Sequence, residues 1–181
     1  MGQRYVALIR GINVGGKNLV LMHDLRGVFT DAGYDDVRTY IQSGNVVFES
    51  DRSRHDLADH LEAEIERALG LELVVVVRSH RELRGVVDSA PPGFGGSPGV
   101  YHSDVIFLKD GLTTEAAMEV VATRDGVDQV WTGTGVLYFA RLSAERTKSK
   151  LSSIMGTEAY RSMTIRNWNT TTRLLAMLDE P

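Results

Sequence analysis

The chain has 181 residues, of which 43% are hydrophobic and 24% charged, an ordinary composition for a globular protein with a folded core. Its formal net charge of −4 gives no overall positive field, so nucleic acid is not an expected partner without a local basic patch. The lack of cysteine excludes disulfides, thiolate metal sites, iron–sulfur clusters and cysteine nucleophiles.

The N-terminal part of the chain predicts a strand, a helix and a hairpin. The apolar run from Tyr5 to Ile9 predicts a strand that ends in a glycine-rich loop. Apolar residues at helical spacing predict a helix from Met22 to Ala32, which Gly33 would close as a C-cap. Two alternating runs then flank the sequence SGN at residues 43–45, where a type I′ hairpin turn would account for an asparagine beside a glycine.

A second helix and a fourth strand complete the first half. Ser53 is a natural N-cap for a helix that runs to about Leu69, and the β-branched run from Leu71 to Arg78 predicts a strand. A short helix is expected from Ser79 to Val87. The segment from Ser89 to Gly99 is rich in glycine and proline and predicts a linker.

The second half repeats this order of elements. Strands are expected at Asp104–Leu108, Val127–Trp131, Val136–Leu142 and Met163–Arg166, and helices at Thr113–Ala122, Thr147–Met155 and Asn169–Leu178. The fold class is therefore α+β, a tandem duplication of two ferredoxin-like βαββαβ halves with largely antiparallel sheets. We place the first half at residues 1–88, a Gly/Pro-rich linker at 89–102 and the second half at 103–181.

The central strands are apolar on both faces, so we expect both faces to be buried, most simply by one half covering the other. The longest apolar run, Leu73 to Val77, is too short to span a membrane, and the N-terminus lacks the apolar stretch of a signal peptide. We therefore expect a cytoplasmic protein without membrane partners.

The loop after the first strand carries a motif similar to a phosphate-binding loop. Residues Gly11 to Asn18 match G-x-x-x-x-G-K, but Asn18 stands where a P-loop needs a hydroxyl, and the helical pattern starts only near Met22. A true P-loop is therefore disfavoured. Two alternatives remain: a tight loop with Lys17 in water, or a backbone nest that binds an anion.

The C-terminal sequence RNWNT places Arg166 before a helix, with Asn167 or Asn169 as its N-cap. Helix N-termini attract anions, so this segment could hold a phosphate or carboxylate. Ordinary capping with Trp168 as a core anchor is the alternative.

Metal and nucleophile patterns are weak. His55 and His60 are five positions apart and fall on different faces of a helix, whereas ligand pairs favour spacings of three or four. Nothing nominates a Ser–His–Asp triad. No metal site and no cofactor are expected, and no catalytic residue can be named.

Three motifs occur in order along the chain: RYVALIRGINVGGKN at residues 4–18, DVRTYIQSGNVVF at 36–48 and TIRNWNT at 164–170. With these motifs the chain resembles a bacterial family catalogued as domain-of-unknown-function family 1697. The resemblance implies a stand-alone bacterial protein of two ferredoxin-like halves. It implies no established activity, cofactor or catalytic residue.

The leading functional hypothesis is a binding module for a phosphate-containing small molecule, at a site where the three motifs converge. An enzyme acting on a phosphorylated or nucleotide substrate, RNA binding through the sheet, and a protein-interaction module are the alternatives; the oligomeric state stays open. The expected ligand-binding residues are Arg10, Asn13, Lys17, Asn18, Gln42, Ser43, Asn45, Arg166, Asn167 and Asn169.

Overall fold

The computed structural model describes residues 2–180, so the outer ends of the two expected halves, residues 1 and 181, lie outside the described residues. The chain divides into two compact units. The first takes in the described residues up to Leu83 together with those from Leu174 onward, and the second is Arg84–Arg173. None of the helices in residues 2–180 is long and apolar enough to cross a membrane.

The first four strands form one antiparallel sheet in the order β2-β3-β1-β4, the strand order of a ferredoxin-like fold. Its strands are β1 (Gln3–Ile9), β2 (Asp35–Tyr40), β3 (Asn45–Ser50) and β4 (Val75–Ser79), and the helices in this part of the chain are α1 (Met22–Asp31), α2 (Arg54–Leu69) and α3 (His80–Asp88).

Local sequence explains how α1 ends and what its core side contacts. The Gly33 N–H donates to the Thr30 carbonyl and the Tyr34 N–H donates to the Phe29 carbonyl, which is the hydrogen-bond pattern of a Schellman C-terminus. This turn brings the ring of Tyr34 to 5.0 Å from that of Phe48 on β3, edge to face. Phe29 and Phe48 are fully buried in the same core.

The prediction for the first hairpin turn is wrong in its type. The connection between β2 and β3 has four residues, Ile41–Gly44, and Asn45 is already the first residue of β3. Asn45 is fully buried, and its amide donates to the Tyr40 carbonyl and the Ser43 hydroxyl, both at 3.0 Å. The asparagine therefore closes a longer loop instead of occupying a two-residue turn.

The remaining strands form a second antiparallel sheet with the equivalent order β6-β7-β5-β8. Its strands are β5 (Tyr101–Leu108), β6 (Asp128–Gly133), β7 (Val136–Leu142) and β8 (Met163–Asn167), and the helices are α4 (Thr114–Val120) and α5 (Trp168–Asp179). Residues 89–100 lie in the second unit.

The helix expected at Thr147–Met155 is absent. Three short 3₁₀ helices connect β7 to β8 instead, at Ser143–Lys148, Leu151–Gly156 and Ala159–Ser162. One cause is Asp128, whose carboxylate accepts the Lys150 N–H at 2.8 Å and the Arg124 N–H at 2.9 Å. A backbone N–H held by a side chain cannot also extend an α-helix.

The duplication is visible in matched positions of the two sheets. Val6 pairs with Arg78 between β1 and β4, and Val105 pairs with Arg166 between β5 and β8. Both arginines are buried, and each Nη1 donates to the carbonyl of the preceding residue at 2.8 Å. The central strands are buried on both faces, as expected: Ala7 and its neighbour Leu8 are both fully buried.

Candidate functional site

The glycine-rich loop after β1 is a miniature hairpin. Val14 and Lys17 form an isolated antiparallel bridge, and the Lys17 N–H donates to the Val14 carbonyl at 3.0 Å. Between them Gly15 and Gly16 have φ values of +58° and +75°. Two consecutive positive φ values are the pattern of a type I′ turn, which side chains beyond glycine, asparagine and aspartate rarely allow. The lysine side chain is exposed.

The two asparagines of this loop hold it in place. The Asn13 amide donates to the Val20 carbonyl at 2.9 Å and to the Gln42 carbonyl at 2.8 Å, and its oxygen accepts the Val20 N–H at 2.9 Å. The Asn18 amide donates to the Gly11 carbonyl at 3.0 Å. The structure therefore brings the loop and the first hairpin turn together, as the binding hypothesis requires. The contact between them is made by the Asn13 amide with the main chain of Gln42.

The remaining predicted residues of the first unit differ in exposure. Gln42 is exposed, Ser43 is half-buried, and Asn45 is the buried residue described above. Arg10 is half-buried, and its N–H donates to the Val74 carbonyl. Lys17, Asn18 and Gln42 are thus the exposed predicted residues of this unit.

Arg166, Asn167 and Asn169 lie in the second unit, where strand alternation separates the first two. Arg166 is buried in β8, and its Nη1 donates to the Thr164 hydroxyl at 2.9 Å as well as to the Ile165 carbonyl. Burial lowers the pKa of Arg166 to about 10. Asn167 is exposed and caps α5, because its side-chain oxygen accepts the Thr170 N–H at 2.8 Å.

A cavity of about 150 Å³ lies at the first turn of α5. It opens where β5 extends beyond the end of its neighbour β8, since the last pair between them is Asp104 with Asn167. Its lining residues are Gly95, Pro98, Tyr101, His102, Ser103, Asn167, Trp168 and Asn169. Two residues predicted from the sequence, Asn167 and Asn169, therefore do line a cavity.

A second cavity of about 170 Å³ adjoins the first and shares Gly95, Tyr101 and Ser103 with it. Ser103 pairs with Ala140 on β7, which in turn pairs with Gln129 on β6, so these three residues form a row across one sheet face. The short side chains of the serine and alanine leave room above the strands. Trp131 and residues 92–95 also line the cavity.

The most informative group of the site is the hydroxyl of Ser103. Ser103 is 7% exposed, and its Oγ is buried without a hydrogen-bond partner among the described residues. A buried polar group without a partner is costly in a folded protein, and such groups mark strain, an unseen water or ion, or a functional role.

An acid–base cluster stands at the same end of β5. The His102 Nε2 lies 3.2 Å from one carboxylate oxygen of Asp104, and the Arg141 guanidinium lies 3.1 Å from the other. Burial raises the pKa of Asp104, while the charges of His102 and Arg141 act in the opposite direction. Across residues 2–180, no group of three or more His, Cys, Asp or Glu side chains could hold a metal ion.

Sequence reasoning missed His102, Ser103 and Tyr101. One signal was present: Ser103 is a polar residue in register with Val105 and Phe107, on the strand face that is otherwise apolar. A lone serine in such a strand is compatible with a polar cavity, but only the chain fold shows that the strand extends beyond its neighbour there.

Comparison with known proteins identifies the family of this chain. No curated protein matches it. The conserved bacterial protein SP0830 from Streptococcus pneumoniae has a similar solved structure, with 28% sequence identity and a TM-score of 0.82 over 98% of this chain and 99% of that chain. The model of the family described as "Protein of unknown function (DUF1697)" matches residues 2–138. The chain therefore belongs to the DUF1697 family, whose function is unknown.

Proposed function

We propose that this protein is a binding module for a small phosphate-containing ligand, whose anionic group lies in the cavity at the first turn of α5. The observation that carries the proposal is that Ser103 lines this cavity while its buried hydroxyl has no hydrogen-bond partner in residues 2–180. A phosphate oxygen in the cavity would accept a hydrogen bond from this hydroxyl.

The helix terminus supports the same ligand chemistry. The first N–H groups of a helix have no intrahelical acceptor, and the helix dipole favours negative charge at this end. Asn169 lines the cavity as a further amide donor. No aspartate or glutamate is among the residues that line this cavity.

Within the first unit, Arg10 and Lys17 of the N-terminal loop remain predicted positively charged contacts of a phosphate group. Gln42 and Ser43, at the first hairpin turn, remain predicted polar contacts of the ligand, whereas the amides of Asn13 and Asn18 already form hydrogen bonds within the protein. A Lys17→Ala variant tests this part of the hypothesis in the titration described next.

Thermal denaturation in increasing inorganic phosphate tests the proposal. A ligand at 100 times its dissociation constant adds about 2.7 kcal/mol of stability. We expect phosphate to raise the melting temperature, and Ser103→Ala to weaken the apparent affinity about tenfold.

The matched control is Ser152→Ala, which truncates an exposed serine of the same unit. It should respond to phosphate like the original protein. No phosphate-dependent shift, or equal shifts in Ser103→Ala and the original protein, would exclude the site.

A second candidate function is an enzyme acting on a phosphorylated or nucleotide substrate. It is favoured by the 3.2 Å contact between the His102 Nε2 and the carboxylate of the buried Asp104, because a carboxylate that orients an imidazole is a common feature of general bases. Turnover of phosphate esters that is lost in His102→Gln, while phosphate binding persists, would establish the enzyme.

A further inference from the structure

Phe94 lies inside a set of three aromatic side chains, Trp131, Tyr138 and Trp168, which we call the aromatic box. Its ring centroid is 5.1 Å from that of Trp168, 5.3 Å from that of Tyr138 and 6.1 Å from that of Trp131. The interplanar angles are 86°, 74° and 85°, so Phe94 meets every wall edge to face. Such pairs are favourable contacts for a planar ring.

The walls of the box belong to regular elements. Trp131 and Tyr138 are direct partners in the register of β6 and β7, and Trp168 is the first residue of α5. The Tyr138 hydroxyl donates to the Val86 carbonyl at 2.6 Å, which fixes its ring. Regular elements therefore set the backbone positions of all three walls, and the segment that carries Phe94 does not.

Phe94 itself is carried by an irregular segment, residues 91–99, which we call the strap. Its hydrogen bonds are local: the Phe94 N–H donates to the Pro91 carbonyl at 2.9 Å, and the Gly96 N–H donates to the Gly93 carbonyl at 3.0 Å. Gly95 lies against the indole of Trp168, where an added Cβ would be 2.0 Å from the ring. The ring of Phe94 is thus a main tertiary contact of a segment without regular structure.

The phenyl ring of Phe94 is apolar, whereas the cavity beside the box has polar residues in its lining. A phenyl ring offers no acceptor to the Ser103 hydroxyl and no partner to Gln129, although both residues line the cavity beside the strap. A heteroaromatic ring carries nitrogen and oxygen atoms that can pair with these groups. Trp168 belongs both to the box and to the lining of the cavity at α5, so ring and phosphate positions are adjacent.

We propose that the aromatic box binds the planar heteroaromatic ring of a nucleotide, and that Phe94 is an intramolecular occupant which this ring displaces. This inference rests on the proposed function, because it assigns the phosphate of the same ligand to the first turn of α5. It names the ligand class as a mononucleotide instead of a phosphorylated sugar or a free phosphate.

Intrinsic fluorescence provides the test, since both tryptophans of the chain are walls of the box. Adenosine monophosphate, ribose 5-phosphate and inorganic phosphate are titrated into the original protein, Phe94→Ala and Phe94→Leu. We expect adenosine monophosphate to quench the fluorescence and to bind about tenfold more tightly than ribose 5-phosphate. Both Phe94 variants should bind the nucleotide about tenfold more tightly still, with unchanged affinity for phosphate.

Val100→Ala is the control, because Val100 is exposed and follows the strap directly. It should leave all three affinities unchanged. Phe94→Leu removes the aromatic ring but keeps a smaller apolar side chain, so it protects the test if Phe94→Ala fails to fold.

Equal affinities for the nucleotide and ribose 5-phosphate in every variant would overturn the ring site, while phosphate binding would leave the proposed function intact. Conversely, quenching by adenosine monophosphate that increases in the Phe94 variants, with no binding of inorganic phosphate, would retain the ring site and exclude the phosphate site.

Discussion

The guanidinium of Arg4, on the first strand of the chain, donates a hydrogen bond of 3.0 Å to the main-chain carbonyl of Leu178, in the last turn of α5. Arg38 on β2 does the same to the Met177 carbonyl at 2.9 Å, and it also pairs with the Glu180 carboxylate at 2.8 Å. The last carbonyls of a helix have no intrahelical donor and carry the negative end of its dipole. The end of α5 is therefore anchored by cations of the first sheet.

We predict that Arg38→Ala lowers the free energy of unfolding by about 1–2 kcal/mol, because it removes a charged donor from these carbonyls. Arg26→Ala, at an exposed position of α1, is the matched loss of an arginine and should change little. Urea denaturation measures both. Equal stabilities of the two variants would contradict the anchoring role.

We predict that Asn13 stabilises the folded protein in two ways: through the hydrogen bonds of its side-chain amide, and because asparagine tolerates a positive φ. Asn13→Ala loses three hydrogen bonds and places alanine at a φ of +54°, whereas Asn13→Gly loses only the hydrogen bonds. Both variants should be destabilised, by about 1–3 kcal/mol for the hydrogen bonds, and alanine by roughly 1 kcal/mol more. Urea denaturation of the pair separates the two effects; a glycine variant as stable as the original would show that the amide contributes nothing.

The buried Asp104 should make stability depend on pH. Burial raises the pKa of Asp104, so the folded protein binds the carboxyl proton more tightly than the unfolded chain, in which an aspartate has a pKa of about 4. Its contribution is then fully present below the unfolded pKa and is lost as the pH rises through the folded pKa. In Asp104→Asn, the melting temperature relative to that of the original protein should increase over this interval. A relative melting temperature that falls or stays constant with rising pH would contradict the assignment.

Arg78 and Arg166 should behave alike, because they occupy matched positions in the two sheets. Replacing either by alanine removes a buried side chain and leaves a carbonyl without its donor, at a cost of roughly 2–4 kcal/mol. Urea denaturation tests this for each variant. If Arg166→Ala instead leaves the stability unchanged and weakens phosphate binding, Arg166 is a ligand contact, as the RNWNT motif predicts.

The fold was largely predictable from local signals, and its exceptions have local causes. The apolar runs of Tyr5–Ile9 and Val136–Leu142 and the glycine at position 33 marked their elements correctly. The expected strand at Leu71–Arg78 is shorter, Val75–Ser79, and the helix expected at Thr147–Met155 is replaced by 3₁₀ turns. A carboxylate that binds a distant N–H, as Asp128 does, leaves no periodic pattern in the sequence.

The candidate site was predictable only in part. Asn167 and Asn169 were singled out for their place at a helix start, and they line a cavity there. The sequence could not show that the amide of Asn13 is used within the loop or that alternation in β8 buries Arg166. The sequence also could not show that Ser103 lines a cavity, because the lengths of the neighbouring strands and the path of the strap form that cavity.

The central claim is that a phosphate group occupies the first turn of α5. An amide NMR titration of the isotopically labelled protein with inorganic phosphate tests it most directly, since it reports each backbone N–H separately. The account predicts saturable shifts that are largest at Trp168 and Asn169 and that are strongly reduced in Ser103→Ala. Unchanged amide signals in this turn at saturating phosphate, or shifts confined to other parts of the chain, would contradict it.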